Sequence, residues 1–371
     1  MWTEFARRVG DQSAAEMLRS GWRYENGFMI LALYQAGRAL NSEKMLATVQ
    51  HWLDASIGAD GTIAGYRADD YNLDHINPGK VLLSAVPREA RESSKYGRAI
   101  EELMKQMRDQ PRTPSGGFWH KQIYPHQMWL DGIYMASPFL VGYGLEYHAP
   151  EWVDEAIRQI VLIDRHTYDA AGRLWYHGWD ESRHEAWANP ETGCSTQFWG
   201  RGVGWFAMAL VDILEWLPPS HSGRRALVDI MTRVGEGLAS AQDPESGLWW
   251  QVLDRPHWPG NYWEASASAM AVYALAKGVR LGVLGARFEE CAQLGWIGLG
   301  ERLVRKDASG TWHLIHCNAV SGLGGHPYRD GSYRYYVNSP VVEDDIKGVA
   351  AFILAGIEMA GQRRNPANGR G

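Results

Sequence analysis

Five short segments rich in glycine and aromatic residues recur along the chain at a spacing of roughly 55–75 residues. Each follows a pair of stretches with helical periodicity and precedes the next pair, which indicates a repeated helix–loop–helix unit. A glycine in this position ends the outer helix or forms a turn with positive φ. The aromatic residues after it would line the mouth of the following inner helix. The segments are residues 59–66, 115–122, 171–179, 246–254 and 309–316.

Helical periodicity dominates the stretches between these segments. In the clearest example, apolar residues recur at steps of three and four from Val203 to Leu217, and Pro218 and Pro219 then end the helix. Pro138 is expected to kink the helix that contains it. Alternation typical of strands is short and confined to connections. The twelve predicted helices cover residues 2–18, 26–40, 42–56, 76–88, 92–109, 127–146, 150–166, 198–217, 222–241, 264–281, 286–304 and 343–361.

Twelve helices with one long connection per pair fit either an open solenoid or a closed ring. An open array is expected to have polar capping repeats and repeats of similar length. Here the connections grow longer and carry many Trp, Tyr and His residues. We therefore predict an all-α protein, an (α/α)6 barrel of six helical hairpins, formed by residues 1–371 as a single domain. About the last 10 residues are expected to form a flexible tail.

The composition excludes several classes of partner. The 43 acidic side chains slightly outnumber the 37 basic ones, and a net charge of −6 leaves no basic face for nucleic acid. Cys194, Cys291 and Cys317 are too few and too far apart for a disulfide framework or a zinc site, which fits a reducing compartment. Neither a secretory signal nor an apolar stretch of roughly 18 residues is present. We expect a cytoplasmic protein without a membrane partner; its oligomeric state is not indicated.

The aromatic residues are biased toward rings with polar groups. The chain has 18 Trp and 17 Tyr but only 8 Phe. Phenylalanine serves core packing as well as tryptophan does, so this bias favours a surface that both stacks on a ligand and hydrogen-bonds to it. Sugars are ligands of this kind.

The segment HKQIYPHQMWLDGIYM, residues 120–135, is the densest in chemical groups. Asp131 lies there among apolar and aromatic side chains near the start of an inner helix. Desolvation in such a place favours the protonated carboxyl, which a general acid needs near neutral pH. The alternative is a structural carboxylate at a helix amino end that interacts with backbone donors.

A second cluster, STQFWGRGVGWF at residues 195–206, alternates large rings with glycine around one arginine. Its glycines follow no strand, so a nucleotide fingerprint is a weak interpretation. Trp199, Arg201 and Trp205 instead suit a planar anionic ligand, because a guanidinium binds a carboxylate through two hydrogen bonds while indoles stack on its ring. The alternative is that Arg201 pairs with a structural carboxylate and the tryptophans fill the core.

No metal site is indicated. HEAW at 184–187 is not a metalloprotease HExxH sequence, because Ala188 stands at the final position. The acidic run 343–345 is explained by the dipole of the last helix that it opens. We interpret His177, in the WYHGWD strip, as a residue that hydrogen-bonds a substrate, with a structural histidine as the alternative.

Four longer blocks of the chain resemble a known family. Residues 71–80 (YNLDHINPGK), 124–139 (YPHQMWLDGIYMASPF), 187–214 (WANPETGCSTQFWGRGVGWFAMALVDIL) and 341–352 (VVEDDIKGVAAF) are similar to the unsaturated rhamnogalacturonyl hydrolases. These enzymes are related to unsaturated glucuronyl hydrolases and degrade the products of pectin lyases. The resemblance covers nearly the whole chain, and that family also has an (α/α)6 barrel fold.

The resemblance implies a glycoside hydrolase that removes terminal 4,5-unsaturated galacturonic acid from lyase-generated rhamnogalacturonan oligosaccharides, without the usual pair of catalytic carboxylates. In that family one aspartate protonates the C4=C5 double bond, water adds at C5, and the resulting hemiketal collapses. Asp131 matches this acid, and Asp74 matches a second aspartate that orients the sugar and the water. No metal or organic cofactor is implied. Positions that match substrate-binding residues are Tyr24, Lys121, His177, Trp199, Arg201, Trp205, Tyr335 and Tyr336.

Other functions remain open from the residues alone. An unsaturated glucuronyl hydrolase that acts on another lyase product would share these motifs. A sugar epimerase or a terpene cyclase can use the same fold. A cyclase requires DDxxD or DxDD, and neither occurs in the sequence. A binding protein without catalysis could keep the tryptophan pocket but has no need of the MWLDG acid.

Overall fold

The computed structural model describes residues 1–12 and 21–364, and helices make up most of this part of the chain. The helices are α1 (Trp2–Gln12), α2 (Tyr24–Leu40), α3 (Glu43–Ser56), α4 (Gly79–Ala85), α5 (Arg88–Arg91), α6 (Lys95–Asp109), α7 (Leu130–Glu146), α8 (Pro150–Thr167), α9 (Gly200–Trp216), α10 (Arg224–Ala241), α11 (Ala265–Arg280), α12 (Arg287–Gly298), α13 (Tyr333–Asn338) and α14 (Ile346–Arg364). The strands are β1 (Gln127–Trp129), β2 (Tyr168–Asp169), β3 (Leu174–Trp175), β4 (Gly178–Asp180), β5 (Val304–Lys306), β6 (Trp312–Leu314), β7 (Cys317–Asn318) and β8 (Val341–Val342).

Six helices form a closed inner ring. Each helix of the ring packs on the next, and the last packs on the first. In order, these helices are α2, α4, α7, α9, α11 and α14. Six outer helices, α1, α3, α6, α8, α10 and α12, each cover one of them. The first outer helix, α1, packs on the last inner helix, α14, so the two ends of the chain complete one hairpin. The predicted (α/α)6 barrel is confirmed.

The inner and outer helices differ because the inner ones have no face toward solvent. Helix α9 buries every residue from Gly200 to Val211, and the alanine-rich α11 is buried from Ala265 to Gly278. Small side chains let such helices approach closely on both sides. The outer helix α6, in contrast, buries only a stripe of residues at three- and four-residue steps: Ala99, Ile100, Leu103, Met104, Gln106 and Met107.

The five glycine-containing segments each form a tight turn after an outer helix. The backbone has positive φ at Gly61, Gly116, Gly247 and Gly310, and at Arg173 in the third copy. Antiparallel backbone pairing on both sides of the turn returns the chain toward the next inner helix. The predicted repeat is therefore a helix, a small hairpin and a helix. In every copy a side-chain oxygen accepts a hydrogen bond from a nearby backbone N–H; the accepting residues are Asp60, Thr113, Asp169, Asp243 and Asp307.

Several predicted helix boundaries were wrong. Residues 127–129 are strand β1 rather than helix, because they pair with β4. The predicted helix 286–304 leaves α-helical geometry after Gly298 and continues as a π-helical turn, Leu299–Leu303. The predicted helix 76–88 is the short α4 followed by α5. The chain stays helical through Pro138.

The two ends of the chain are described only in part. Helix α14 continues to Arg364, so the first residues of the predicted tail are helical, and residues 365–371 lie outside the described part. The predicted first helix is observed from Trp2 to Gln12, and residues 13–20 are likewise not described. Within residues 1–12 and 21–364, no helix is both long and apolar enough to cross a membrane.

Candidate active site

The amino ends of the inner helices meet at one end of the barrel, which we call the mouth. Lys347 interacts electrostatically with Arg201 and Glu25, and Arg201 interacts with Asp131. Side chains from different hairpins are therefore close together at this end, although they are far apart in sequence. Polar side chains occupy the second position of all six inner helices: Glu25 in α2, Lys80 in α4, Asp131 in α7, Arg201 in α9, Ser266 in α11 and Lys347 in α14.

A two-stranded ladder brings Asp131 and His177 together. Strand β1 leads directly into α7, and Trp129 pairs with Gly178 of β4. The backbone N–H of Leu130 donates to the carbonyl of His177 over 3.0 Å. This fixes the start of α7 beside the residue that precedes β4. Asp131 Oδ2 and His177 Nε2 lie 3.1 Å apart as a result.

Asp131 belongs to a chain of three side chains. Nδ1 of His177 lies 2.7 Å from the hydroxyl of Tyr336 in α13. His177 and Tyr336 are completely buried, whereas the Asp131 side chain keeps 14% exposure. Trp129 and Trp199 contact the His177 ring at centroid distances of 5.4 and 4.5 Å. The carboxyl group thus stands at the boundary between an aromatic wall and the open mouth.

Asp74 forms a second polar centre. It lies in the 3₁₀ turn Leu73–His75, and its Oδ2 is 2.6 Å from Nζ of Lys121. Burial raises the pKa of the Asp74 carboxyl, but Lys121 and the neighbouring His120 and His75 together outweigh burial, and the pKa lies below its usual value. His120 Nε2 is 3.5 Å from Oδ1 of Asp74. Burial lowers the pKa of His120 to about 4, so its imidazole is neutral near pH 7.

The STQFWGRGVGWF cluster lies beneath the mouth. Trp199, Arg201 and Trp205 are each 1% exposed. Arg201 donates to the side-chain and backbone oxygens of Asn318 and to the Ser266 hydroxyl. Burial lowers the pKa of the guanidinium, but the carboxylates of Glu264 and Asp345 outweigh burial, and the net pKa is raised. Arg201 is thus hydrogen-bonded to Asn318 and Ser266, and Glu264 and Asp345 act on it electrostatically.

The two tryptophans of the cluster have different neighbours. Trp199 stacks with Tyr336 at 6.1 Å and has the Arg201 guanidinium over its ring at 4.9 Å. Trp205 lies deeper and stacks on Tyr134 at 4.8 Å. Trp199 therefore supports the Asp131 chain, whereas Trp205 packs toward the centre of the barrel.

Tyr24 and Tyr335 lie at the edge of the mouth and are only partly buried. Burial and the carboxylate of Glu25 raise the pKa of the Tyr24 hydroxyl well above its usual value, and Asp74 and Asp131 add to this effect. The Tyr335 hydroxyl accepts a hydrogen bond from the backbone N–H of Gly322 over 3.0 Å. All ten residues singled out in the sequence therefore lie at the mouth or directly beneath it.

Sequence reasoning missed several residues that hold the site together. Glu264 is completely buried, caps α11 and accepts from the N–H of Asn318 over 2.8 Å. Asn318 in turn fixes Arg201. A carboxylate immediately before an alanine-rich helix is a capping signal that could have identified Glu264, but nothing in the sequence marks Asn318.

The acidic run 343–345 has structural partners. Asp345 accepts from the backbone N–H of Lys347 over 3.0 Å and so caps α14. Its neighbours pair with Arg305 and His313. Over residues 1–12 and 21–364, no three His, Cys, Asp or Glu side chains are grouped so that they could hold a metal ion.

A closed ring of helical hairpins with carboxylates and aromatic side chains at one mouth is an architecture suited to binding and cleaving sugars. The chain matches the Glycosyl Hydrolase Family 88 profile over residues 3–362 and belongs to this family. It is therefore a glycosidase.

Individual relatives agree with this assignment. Protein Atu3128 of Agrobacterium fabrum is 42% identical over 227 residues, which make up 60% of this chain and 96% of the relative. The unsaturated rhamnogalacturonyl hydrolase YesR of Bacillus subtilis is 24% identical over 265 residues, 70% of this chain and 72% of that protein. A family 105 glycoside hydrolase of C. acetobutylicum superimposes with a TM-score of 0.93 at 38% identity, covering 97% of this chain and 99% of the other.

Proposed function

We propose that this glycosidase removes the terminal 4,5-unsaturated galacturonic acid from lyase-generated rhamnogalacturonan oligosaccharides. The observation that carries the proposal is the placement of Asp131: a carboxyl group at the mouth, 14% exposed, hydrogen-bonded on one oxygen to a buried histidine. Such a group suits proton transfer to a bound sugar. The similarity to a relative named unsaturated rhamnogalacturonyl hydrolase supports the substrate class.

In the proposed reaction, Asp131 donates its proton to C4 of the C4=C5 double bond. The electron pair of the double bond forms the C4–H bond, and the positive charge is shared between C5 and the ring oxygen. Water adds at C5, and its proton passes to the Asp131 carboxylate, which restores the acid. The hemiketal then opens to a 5-keto form, and the hemiacetal left at C1 releases the remaining oligosaccharide. One water is consumed, and the double bond is lost.

Asp74 and Lys121 are proposed to position the sugar and the attacking water. Lys121 lowers the pKa of Asp74, so this carboxylate stays ionised and accepts hydrogen bonds from hydroxyl groups. The Lys121 side chain is 23% exposed and can also face an anionic sugar. Tyr24, His177, Trp199, Arg201, Trp205, Tyr335 and Tyr336 are proposed to form the rest of the subsite, by contact or by supporting residues that make contact.

The main alternative within the family is a different unsaturated substrate. A relative named unsaturated 3S-rhamnoglycuronyl hydrolase, from Formosa agariphila, is 25% identical over 62% of this chain and 57% of its own length. The C4=C5 double bond removes the stereocentre at C4 that distinguishes galacturonate from glucuronate, so these alternative substrates differ in the glycosidic linkage and the adjoining sugar. Selection between such substrates depends on a small number of hydrogen bonds.

A substrate panel tests the proposal. Purified protein is given unsaturated galacturonyl-rhamnose, an unsaturated glucuronyl disaccharide and the saturated galacturonyl-rhamnose, and the ultraviolet absorbance of the conjugated enol ether is followed together with sugar release. We expect the highest kcat/KM on unsaturated galacturonyl-rhamnose and no turnover of the saturated disaccharide. Cleavage of the saturated disaccharide would contradict the chemistry. A preference for the glucuronyl substrate would contradict the substrate class.

A further inference from the structure

Tyr336 and His177 were both expected to bind the sugar, yet both are completely buried. Neither side chain has a surface that a sugar in the mouth could contact directly. Their connection to the site is the hydrogen-bonded chain from the Tyr336 hydroxyl through His177 to Oδ2 of Asp131. Any effect of the Tyr336 hydroxyl on the reaction therefore passes through His177.

The protons in this chain can be assigned from hydrogen-bond satisfaction. Among the described residues, Nδ1 of His177 is the hydrogen-bond partner of the Tyr336 hydroxyl, at 2.7 Å, and no second acceptor is in reach. If Nδ1 carried the ring proton, the hydroxyl hydrogen of a fully buried tyrosine would have no acceptor, and such orphan donors are costly. The hydroxyl therefore donates to Nδ1. The ring proton then lies on Nε2 and is donated to Oδ2 of Asp131.

The geometry points to Tyr336 as a positioning residue that fixes the Nε2–H tautomer of His177 and thereby sets which oxygen of Asp131 carries the catalytic proton; this inference rests on the proposed function. Oδ2 accepts from His177, so the proton of the acid form lies on Oδ1. Within the described part of the chain, no donor reaches Oδ1. The free O–H is thus directed away from His177, toward the mouth. After proton transfer, the Nε2–H group stabilises the carboxylate that remains.

With the opposite tautomer of His177, the hydrogen bonds from Tyr336 to Asp131 would oppose catalysis. Nε2 would present a lone pair to Asp131, so the acid would hold its proton on Oδ2 and donate it to the histidine instead of the sugar. Loss of the Tyr336 hydroxyl removes the group that excludes this arrangement. The other charged and titratable groups that act on this hydrogen-bonded chain come from separate elements. They are Tyr24 of α2, His120 of the loop before β1, Arg201 of α9, Arg329 and Asp330 of the segment before α13, and Tyr335 beside Tyr336 in α13.

The test compares Tyr336→Phe with Tyr333→Phe, a matched variant on the same helix whose hydroxyl donates to the Pro259 carbonyl outside the site. We expect Tyr336→Phe to lower kcat by at least about 10-fold with little change in KM, because general acid catalysis depends on correct proton placement. Tyr333→Phe should match the wild type in both quantities.

A second experiment uses NMR spectroscopy to determine the tautomer of His177 independently of activity. Two-bond ¹⁵N–¹H correlation spectra of the histidines, with His177→Gln to assign the signal, should show the Nε2–H form in the wild type and a mixture in Tyr336→Phe. Because a glutamine amide can donate to Asp131 without help, Tyr336→Phe should have little further effect on kcat in the His177→Gln background. An unchanged tautomer in Tyr336→Phe, or an effect confined to KM, would overturn the inference.

The two arms also separate this inference from the proposed function. If wild-type protein turned over no unsaturated disaccharide, the proposed function would fail, and the role of Tyr336 in that reaction would fail with it. The spectra would still decide whether the tyrosine sets the histidine tautomer. If turnover is present and the spectra show the Nδ1–H form in the wild type, only the inference fails.

Discussion

At the scale of single residues, burial separates side chains that reach a ligand from side chains that support others. Asp131 is 14% exposed and Lys121 is 23% exposed, whereas Arg201 is 1% exposed. The sequence identified all three as candidates because residue type and neighbours suggest chemistry. It did not reveal that Arg201 faces Asn318, because the two residues come from different hairpins.

Replacement of Arg201 by Leu should therefore affect folding before it affects binding. The change removes the guanidinium that stabilises the fully buried carboxylate of Glu264, and removal of one partner from a buried charge group costs about 3–5 kcal/mol. Urea unfolding measures this cost. Arg225→Leu is the control: Arg225 pairs with Asp229 on the surface of α10 at 85% exposure, where a loss within about 0.5 kcal/mol is expected. If Arg201→Leu had normal stability and only a raised KM, the prediction would be wrong, and Arg201 would be assigned to direct contact with the substrate.

At the scale of elements, the turns after the outer helices decide where each inner helix begins. Gly247 illustrates the constraint: its φ is +73°, and an added Cβ would collide with the backbone carbonyl of Leu294 in α12. The turn and the neighbouring outer helix are thus in backbone contact. Only a glycine allows both the positive φ and this close approach.

Gly247→Ala should destabilise the protein more than Gly282→Ala. Gly282 also has positive φ, at +67°, but an added Cβ there meets no atom within 4 Å. Gly282→Ala should cost about 1 kcal/mol from backbone strain alone, whereas the clash at Gly247 should add about 1–3 kcal/mol. The comparison is made by denaturant unfolding of both variants. If both variants lost the same free energy of unfolding, the contact between Gly247 and α12 would not restrict the residue at this position.

The sequence predicts elements well where one physical signal dominates and poorly where two compete. The helical stripe from Val203 to Leu217 and the five turns were predicted because periodicity and glycine placement are local signals. Residues 127–129 were assigned to a helix, but pairing with β4 makes them a strand. This ladder places His177 beside Asp131, so the local signal failed at a position that builds the site. Long-range pairing of this kind leaves no trace in the periodicity of one segment.

At the scale of the whole molecule, the closed ring buries charged groups along its interior. Lys80 in α4 is 2% exposed; its ammonium lies 3.3 Å from the centre of the Tyr134 ring and donates to the Tyr134 carbonyl over 3.4 Å. Burial lowers the pKa of Lys80 to about 7. Ring closure was predictable from the repeats, but a buried lysine that forms no ion pair with any residue of the described part of the chain was not.

This lysine should make stability depend on pH. Since the pKa is lower in the folded protein than the usual 10.5, the unfolded chain binds more protons between about pH 7 and 10.5, and stability contributed by this site rises with pH across that window. The substitution Lys80→Met should remove the contribution of this residue to the pH dependence of stability. The variant should be more stable than the wild type by a few kcal/mol at pH 7, with the gap closing toward pH 10. Urea unfolding of both proteins across this range is the measurement, and parallel pH profiles would contradict the assignment.

The most direct test of the account is a single-turnover comparison of wild type, Asp131→Asn and the control Asp154→Asn, whose side chain is 70% exposed on α8. Enzyme is mixed in excess with the unsaturated disaccharide, and ultraviolet absorbance and sugar release are followed together. We predict that wild type and Asp154→Asn lose the double bond no later than they release sugar, and that folded Asp131→Asn is slower in both by at least about 100-fold. A folded Asp131→Asn that still consumes the double bond, or sugar release before loss of absorbance in the wild type, would contradict the account.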